Sequence, residues 1–126
     1  MHDIQTLPDI QLLVDAFYGK VRRHPLIGPV FEAVVQDNWP HHLEKMYRFW
    51  QTVLLEEHTY FGSPFPPHLK MGLEKPHFDA WLGLWKETVG ELYEGEKADE
   101  ALWRADKMAE MFRSKIDFFR NNTAIL

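Results

Sequence analysis

The sequence predicts an all-α protein, and two observations support this prediction. Apolar residues recur at helical spacing along most of the chain, whereas no segment shows the strict alternation of apolar and polar residues that is typical of strands. The chain of 126 residues is 45% hydrophobic, which suffices for one continuous core. We therefore expect residues 1–126 to form a single helical domain.

The first helix is expected to begin near Pro8 and Asp9, because both residue types are common at helix starts. His24-Pro25 is expected to end it, and Gly28-Pro29 is expected to interrupt the pattern before a short helix from Val30 to Val35. The apolar face of the first helix would consist of Ile10, Leu13, Val14, Phe17, Tyr18 and Val21.

A second long helix is predicted from about Pro40 to Leu55, because Asn38 and Pro40 form a start signal and a broad apolar face follows. The next stretch, FGSPFPPHLKMGLEKP, is too rich in Gly and Pro for a long regular helix. One helical turn around His68 is compatible with it.

Two further helices are predicted in the last part of the chain. Pro76 suits the first turn of one, whose apolar residues keep a period of about 3.6 residues until Gly95. The other carries one apolar stripe, which is shorter than the sustained repeat of a coiled coil and is therefore expected to pack on the core. This stripe comprises Leu102, Ala105, Ala109, Phe112, Ile116 and Phe119.

Composition and charge exclude several classes of function. The net charge is -5 and Lys and Arg are scattered along the chain, so the sequence shows no basic cluster that would bind nucleic acid or an anionic membrane. No segment approaches the roughly 20 apolar residues of a membrane span, and the first residues lack a signal-peptide pattern, so we expect a cytoplasmic protein. Because the chain has no Cys, thiolate catalysis, iron–sulfur clusters, Cys-based zinc sites and thioether-linked haem are excluded.

The seven His residues invite a search for metal sites made by protein ligands alone. Glu74 and His77 have the spacing found in di-iron bundles, but such a bundle needs two pairs and Pro76 lies between these two residues. A zinc site from His41, His42 and His58 would lack a designated fourth ligand. Both alternatives are therefore disfavoured.

His68 is distinguished by its position in the irregular stretch, between helices with aromatic faces. A neutral imidazole in an apolar pocket is a common axial ligand of haem iron, and a hydrogen bond from its other ring nitrogen fixes its orientation. On the local sequence alone, an exposed loop histidine is the favoured alternative.

Two more sets of residues are candidates for a polar site in an apolar wall. His42, Met46, Phe49 and Val53 are spaced by 4, 3 and 4 residues and share one helix face. Tyr18 and Trp81 each lie within an apolar stripe and carry one polar hydrogen, which they could donate to a bound ligand. The alternative for His42 is a histidine at the edge of the core. The alternative for Tyr18 and Trp81 is that both are core residues that donate to backbone carbonyls.

Four segments together resemble the truncated haemoglobins, specifically group III. They are FYGKVRRHPLIGPVF, WPHHLEKMYRFW, YFGSPFPPHL and HFDAWLGLWKETV, and the similarity covers about Phe17 to Met111. Their order and separations fit jointly, including the 26-residue interval from His42 to His68.

The resemblance implies a truncated globin fold, a two-over-two helical sandwich around a haem b, in which the irregular stretch replaces most of the proximal helix. It implies that His68 is the proximal iron ligand and that Tyr18, His42 and Trp81 are the distal residues. The resemblance also assigns further haem-contacting positions: Phe31, Met46, Phe49 and Trp50 in the pocket, and Lys45 near a haem propionate. The alternative for Lys45 is a solvated surface charge.

A protein of this kind would bind O2, NO and CO at an open iron position. Hydrogen bonds from Tyr18 and Trp81 would slow O2 release, which favours NO dioxygenase-like or peroxidase-like chemistry, or nitrite reduction, over O2 transport. Turnover would need an external reductase. The alternatives are a non-catalytic ligand-binding or sensing module and a haem-free helical interaction protein.

Overall fold

The computed structural model describes residues 1–69 and 71–125, with side chains described as far as residue 121. Within these residues it contains helices and no strand, which confirms the all-α prediction. The helices are α1 (Leu7–Arg23), α2 (Gly28–Val35), α3 (Trp39–Leu55), α4 (Phe65–His68), α5 (Lys75–Leu92) and α6 (Glu96–Ile125). Lys70, which belongs to the predicted irregular stretch, lies outside the described residues.

Two pairs of helices form the architecture. Helix α1 packs on α3 and α5 packs on α6, while α1 also contacts α5 and α3 contacts α6. The short helix α2 lies against α1. No helix in the described part of the chain is long and apolar enough to cross a membrane.

Helix α1 begins at Leu7, just before the predicted start near Pro8 and Asp9, because Thr6 is its N-cap. The Thr6 hydroxyl accepts a hydrogen bond from the Asp9 backbone N–H, and the Asp9 carboxylate accepts one from the Thr6 N–H. This reciprocal pair is a capping box, with Asp9 inside the first turn. The helix ends at Arg23, before the predicted stop at His24-Pro25.

The prediction that Gly28-Pro29 interrupts the helical pattern is wrong in one respect, because α2 begins at Gly28. Pro29 occupies the first turn, where a missing N–H costs no hydrogen bond. A side chain on Gly28 would place its Cβ 2.9 Å from the Arg22 carbonyl oxygen. Glycine therefore lets the start of α2 lie directly on the end of α1.

Helix α3 and the single turn α4 lie where the sequence predicts a long helix and one turn around His68. Helix α5 also begins as predicted, with Pro76 in its first turn, and it ends at Leu92, before Gly95. The helical prediction for these elements is confirmed.

The predicted core stripe of α6 is correct as far as Ile116 and wrong at Phe119. Ala105, Ala109, Phe112 and Ile116 are buried, whereas the Phe119 side chain is 44% exposed and stacks on Phe65 at 6.3 Å between ring centroids. At about 1.5 Å per residue, the 30-residue α6 is much longer than the 18-residue α5. Its last turns therefore extend beyond the helix on which it packs.

The start of α6 is capped by a residue from the opposite end of the sequence. The Asp3 carboxylate accepts hydrogen bonds from the backbone N–H groups of Lys97 and Ala98, each at 2.9 Å. Gly95 has φ +130°, and a Cβ there would lie 2.6 Å from the Asp3 carboxyl carbon. The cap thus requires both the carboxylate and the glycine.

Buried side chains form two clusters with a space between them. The larger cluster joins α1, α3, α5 and the first turns of α6 around Trp85, whose indole N–H donates to the Ala101 carbonyl at 3.1 Å. The smaller cluster contains Phe65, Leu73, Phe78, Ala109, Phe112 and Ile116. Trp81 and Met108 pack against both clusters, and the candidate site lies where these meet.

Candidate haem and gas-binding site

A cavity of about 100 Å³, partly open to solvent, separates the two clusters. Its walls are almost entirely apolar and aromatic, and they contain no Asp, Glu, Lys or Arg among the residues described. The lining consists of Phe17, Tyr18, Ile27, Phe31, His42, Met46, Phe49, Trp50, Pro64, His68, Met71, Leu73, His77, Phe78, Trp81, Met108, Ala109 and Phe112.

His68 lies in the wall formed by α4, and its ring packs on Phe112 at 4.8 Å between centroids. Its Nδ1–H donates to the Pro64 carbonyl oxygen at 2.5 Å. Because a carbonyl only accepts, the proton of the neutral ring is on Nδ1 and the lone pair is on Nε2. Burial lowers the pKa of His68, which the Pro64 bond partly offsets, and this favours the neutral form that binds metals.

His42 lies in the wall formed by α3, edge-on to the Tyr18 ring at 5.1 Å between centroids. Within the described side chains, its Nε2 is the one buried polar atom that has no hydrogen-bond partner. Burial, followed by the nearby Lys45, lowers the pKa of His42 to about 4. A neutral ring with an unpartnered nitrogen is therefore present in the cavity wall at neutral pH.

Tyr18 and Trp81 bring two hydrogen-bond donors to the same cavity. Tyr18 is 7% exposed, and burial raises the pKa of its phenol, so the hydroxyl keeps its proton. The Trp81 ring lies parallel to Trp85, which stacks on Trp50 at 4.5 Å between centroids. This stack holds the Trp81 indole in a fixed orientation.

The other predicted pocket residues divide into two groups. Phe31, Met46, Phe49 and Trp50 line the cavity together with His42, whereas Lys45 is exposed on α3 and is not part of the lining. Lys45 is near enough to His42 to affect its pKa. The sequence thus identified residues from α1, α2, α3, α4 and α5 that the fold brings to one space.

Several lining residues were not predicted from the sequence, and His77 is the most polar of them. His77 is in the first turn of α5, where its Nδ1 accepts a hydrogen bond from the Glu74 backbone N–H at 3.0 Å. The neutral ring therefore carries its proton on Nε2 and can donate it. Phe78, Met108 and Phe112 were missed as lining residues because an apolar helix face does not distinguish a cavity wall from a packed core. Met71 and Leu73 were missed because they lie in the irregular stretch, which has no periodic pattern.

The protein-only metal sites considered from the sequence do not form in the described part of the chain. No group of three or more His, Asp and Glu side chains there is placed to hold a metal ion.

Comparisons with known proteins agree with this geometry. No protein-family model matches the chain. A group 3 truncated haemoglobin of Campylobacter jejuni is 32% identical over 111 residues, which cover 85% of this chain and 87% of the relative. The chain belongs to the group III truncated haemoglobins. The crystal structure of a group III truncated haemoglobin from Campylobacter jejuni superposes with a TM-score of 0.82 at 30% identity, covering 92% of this chain and 95% of that one.

The two-over-two truncated globin fold predicted from the sequence is thereby confirmed. As a member of this family, the protein is a haem globin that binds small gaseous ligands such as O2. The residues present fit a haem, because an apolar, largely aromatic cavity suits a flat macrocycle. They also suit its iron, because His68 has a free Nε2 lone pair while the His42 Nε2 lacks a partner.

Proposed function

We propose that residues 1–126 form one globin domain whose cavity holds haem b, with His68 as the iron ligand. The supporting observation is the bond from His68 Nδ1–H to Pro64, which leaves Nε2 available and orients the ring. The absence of Cys supports haem b, because it rules out thioether attachment. Phe31, Met46, Phe49 and Trp50 would enclose the macrocycle, and Lys45 would reach a propionate at the surface.

Haem held by His68 would supply an open iron position at which diatomic gases bind. In this proposal, Tyr18 and Trp81 would donate hydrogen bonds to the gas and would stabilise the partial negative charge on it. Each such bond contributes about 1–2 kcal/mol, and about 1.4 kcal/mol changes a dissociation rate tenfold. The two donors together predict slow release of O2.

Slow release favours chemistry on the ligand over O2 transport, because a transporter must unload. We propose NO detoxification, or reduction of nitrite or peroxide, in the cytoplasm. His42, neutral and without a partner at Nε2, would control access of ligands or move a proton to or from them. Electrons for turnover would come from a separate reductase.

Absorption spectra of the purified protein test the binding part of this proposal. We expect a Soret band with haem and distinct ferric, ferrous and CO-bound spectra. Absence of a Soret band after haem is supplied would exclude haem binding by this protein.

NO consumption tests the chemical part. Protein loaded with O2 should consume NO rapidly, and a reductase with its reduced cofactor should regenerate it over many cycles. Spectra that show O2 and CO binding without NO, nitrite or peroxide turnover by any reductase would instead support a non-catalytic ligand-binding or sensing module.

A further inference from the structure

Behind His42, on the side away from the cavity, a set of three residues connects three helices. Trp39 is the first residue of α3, Glu32 belongs to α2 and Arg22 belongs to α1. Trp39 is not part of the cavity lining, although it is 6% exposed and therefore buried. Its contacts lie with His42 and Tyr18 on one side and with Arg22 and Glu32 on the other.

The inner contacts of Trp39 enclose the His42 imidazole. The rings of Trp39 and His42 are perpendicular, with centroids 5.5 Å apart, and Tyr18 lies 5.1 Å from His42 at an angle of 86°. Tyr18 and Trp39 also contact each other at 5.8 Å. Edge-to-face contacts of this kind stabilise ring pairs beyond the effect of burial. His42 is thus held by two aromatic rings and by no hydrogen bond from Nε2.

The outer contacts of Trp39 fix its position. The Glu32 carboxylate accepts from the Trp39 indole N–H at 3.3 Å and from Arg22 Nε at 2.9 Å. The Arg22 guanidinium lies over the Trp39 ring, 4.4 Å from its centroid. Hydrogen bonds from Arg22 and then Trp39 lower the pKa of the Glu32 carboxyl, which keeps it an ionised acceptor. These polar contacts join α2 to the start of α3.

We propose that Trp39 is a positioning residue for gas binding: held by Glu32 and Arg22, its ring occupies the space into which His42 would turn and keeps the imidazole in the cavity wall. This inference rests on the proposed distal role of His42. Because Trp39 does not line the cavity, it acts on the gaseous ligand through side chains that do: mainly His42 and, by a longer ring contact, Tyr18. Loss of the ring would let His42 leave the wall and would widen the path to the cavity.

Carbon monoxide is the probe for this proposal, with association followed by flash photolysis and the C–O stretch followed by infrared spectroscopy. Trp39→Leu should accelerate CO association by about two- to tenfold, the range that corresponds to one edge-to-face ring contact. It should also add a second C–O stretching band. The polar environment of the bound CO would differ between molecules with His42 in the cavity wall and molecules in which His42 has turned out of it. Glu32→Gln, a mild change at a side chain that is 42% exposed, should accelerate CO association by about twofold and add a weaker form of the same second band.

Two comparisons separate positioning from general destabilisation. Glu44→Gln removes the exposed Glu44–Arg48 ion pair of α3, which does not touch Trp39, and should leave both readouts unchanged. In a His42→Leu background, Trp39→Leu should lose most of its effect on CO association, because the main residue through which it acts is gone.

Three results would overturn the inference: unchanged association and a single band in both Trp39→Leu and Glu32→Gln, an equal change in Glu44→Gln, or a full Trp39→Leu effect without His42. A wild-type protein that binds no haem or CO would contradict the proposed function itself. Normal CO binding without an effect of Trp39 would contradict only this inference.

Discussion

Tyr18 and Trp81 line the cavity with one polar hydrogen each, and neither donates a hydrogen bond to another group in the described residues. Buried Tyr and Trp normally find an acceptor in the protein, as Tyr93 does at the Asp9 carbonyl, 2.8 Å away. The two donors of the cavity are therefore available to a ligand. Their helices, α1 and α5, pack directly on each other and bring them to the same space.

Replacing Tyr18 and Trp81 together by Phe should accelerate O2 dissociation by about 10- to 100-fold, because two hydrogen bonds of about 1 kcal/mol or more are lost. Stopped-flow exchange of O2 for CO measures this rate. Tyr47→Phe is a matched control, since Tyr47 donates to Asp15 on an exposed surface and does not line the cavity. An unchanged rate in the double variant would remove both residues from the distal site.

At the residue scale, the polar residues of the cavity could be predicted from the sequence, whereas the side chains that contact them could not. His42 could be assigned to an apolar helix face from its spacing, and Tyr18 and Trp81 from theirs. The contacts of His42 with Trp39, and of Trp39 with Glu32, join different helices and have no signature in sequence spacing. His77 was missed because a histidine in the first turn of a helix is usually solvated.

At the scale of elements, helix bodies were predictable and several of their ends were not. Spacing of apolar residues identified all the long helices, because a buried face imposes the helical period. The α6 start depends on Asp3, which lies more than 90 residues away along the chain, so no local signal designates this cap. The exposure of Phe119 likewise depends on where the neighbouring helix ends.

Asp3→Asn should destabilise the protein by about 1 kcal/mol at pH 7, because the ionised carboxylate caps α6 and interacts favourably with its N-terminus. Burial alone would raise the pKa of Asp3, but hydrogen bonds from Lys97, Ile4 and Ala98 outweigh it and lower the pKa below the model-compound value of 3.8. The stabilisation is therefore fully present above pH 3.8 and is lost as the pH falls through the lower folded-state pKa.

Urea denaturation at several pH values measures this effect. The difference in unfolding free energy between wild type and Asp3→Asn should shrink below pH 3.8. Asp99→Asn, an exposed change in the same first turn, serves as the control. Equal stability of wild type and Asp3→Asn at pH 7 would show that the carboxylate does not stabilise the α6 start.

At the scale of the whole molecule, two buried clusters flank a cavity that the chain itself leaves unfilled. A close-packed protein interior normally fills such a space, and an unfilled apolar cavity costs stability. The sequence shows enough apolar residues for a core, but composition does not reveal that this core is divided. Only the resemblance to the truncated haemoglobins predicted that a cofactor separates its halves.

Haem should therefore stabilise the folded protein strongly. A ligand at a thousandfold excess over its Kd adds about 4 kcal/mol when it binds only the native state. Thermal unfolding of the same preparation, with haem and after its extraction, should show a clearly higher Tm for the haem-loaded form. Identical transitions would mean that the cavity does not bind haem in the folded state.

The proposed role of His68 is tested most directly by the absorption spectrum of ferrous His68→Ala, measured beside the wild type and His58→Ala. His58 is an exposed histidine outside the cavity lining, so its replacement should leave the spectrum and haem retention unchanged. We predict that His68→Ala loses haem readily on gel filtration and that added imidazole, which replaces the missing ligand, restores a wild-type-like spectrum. Stable haem retention by His68→Ala with an unaltered five-coordinate ferrous spectrum, in the absence of imidazole, would contradict the account.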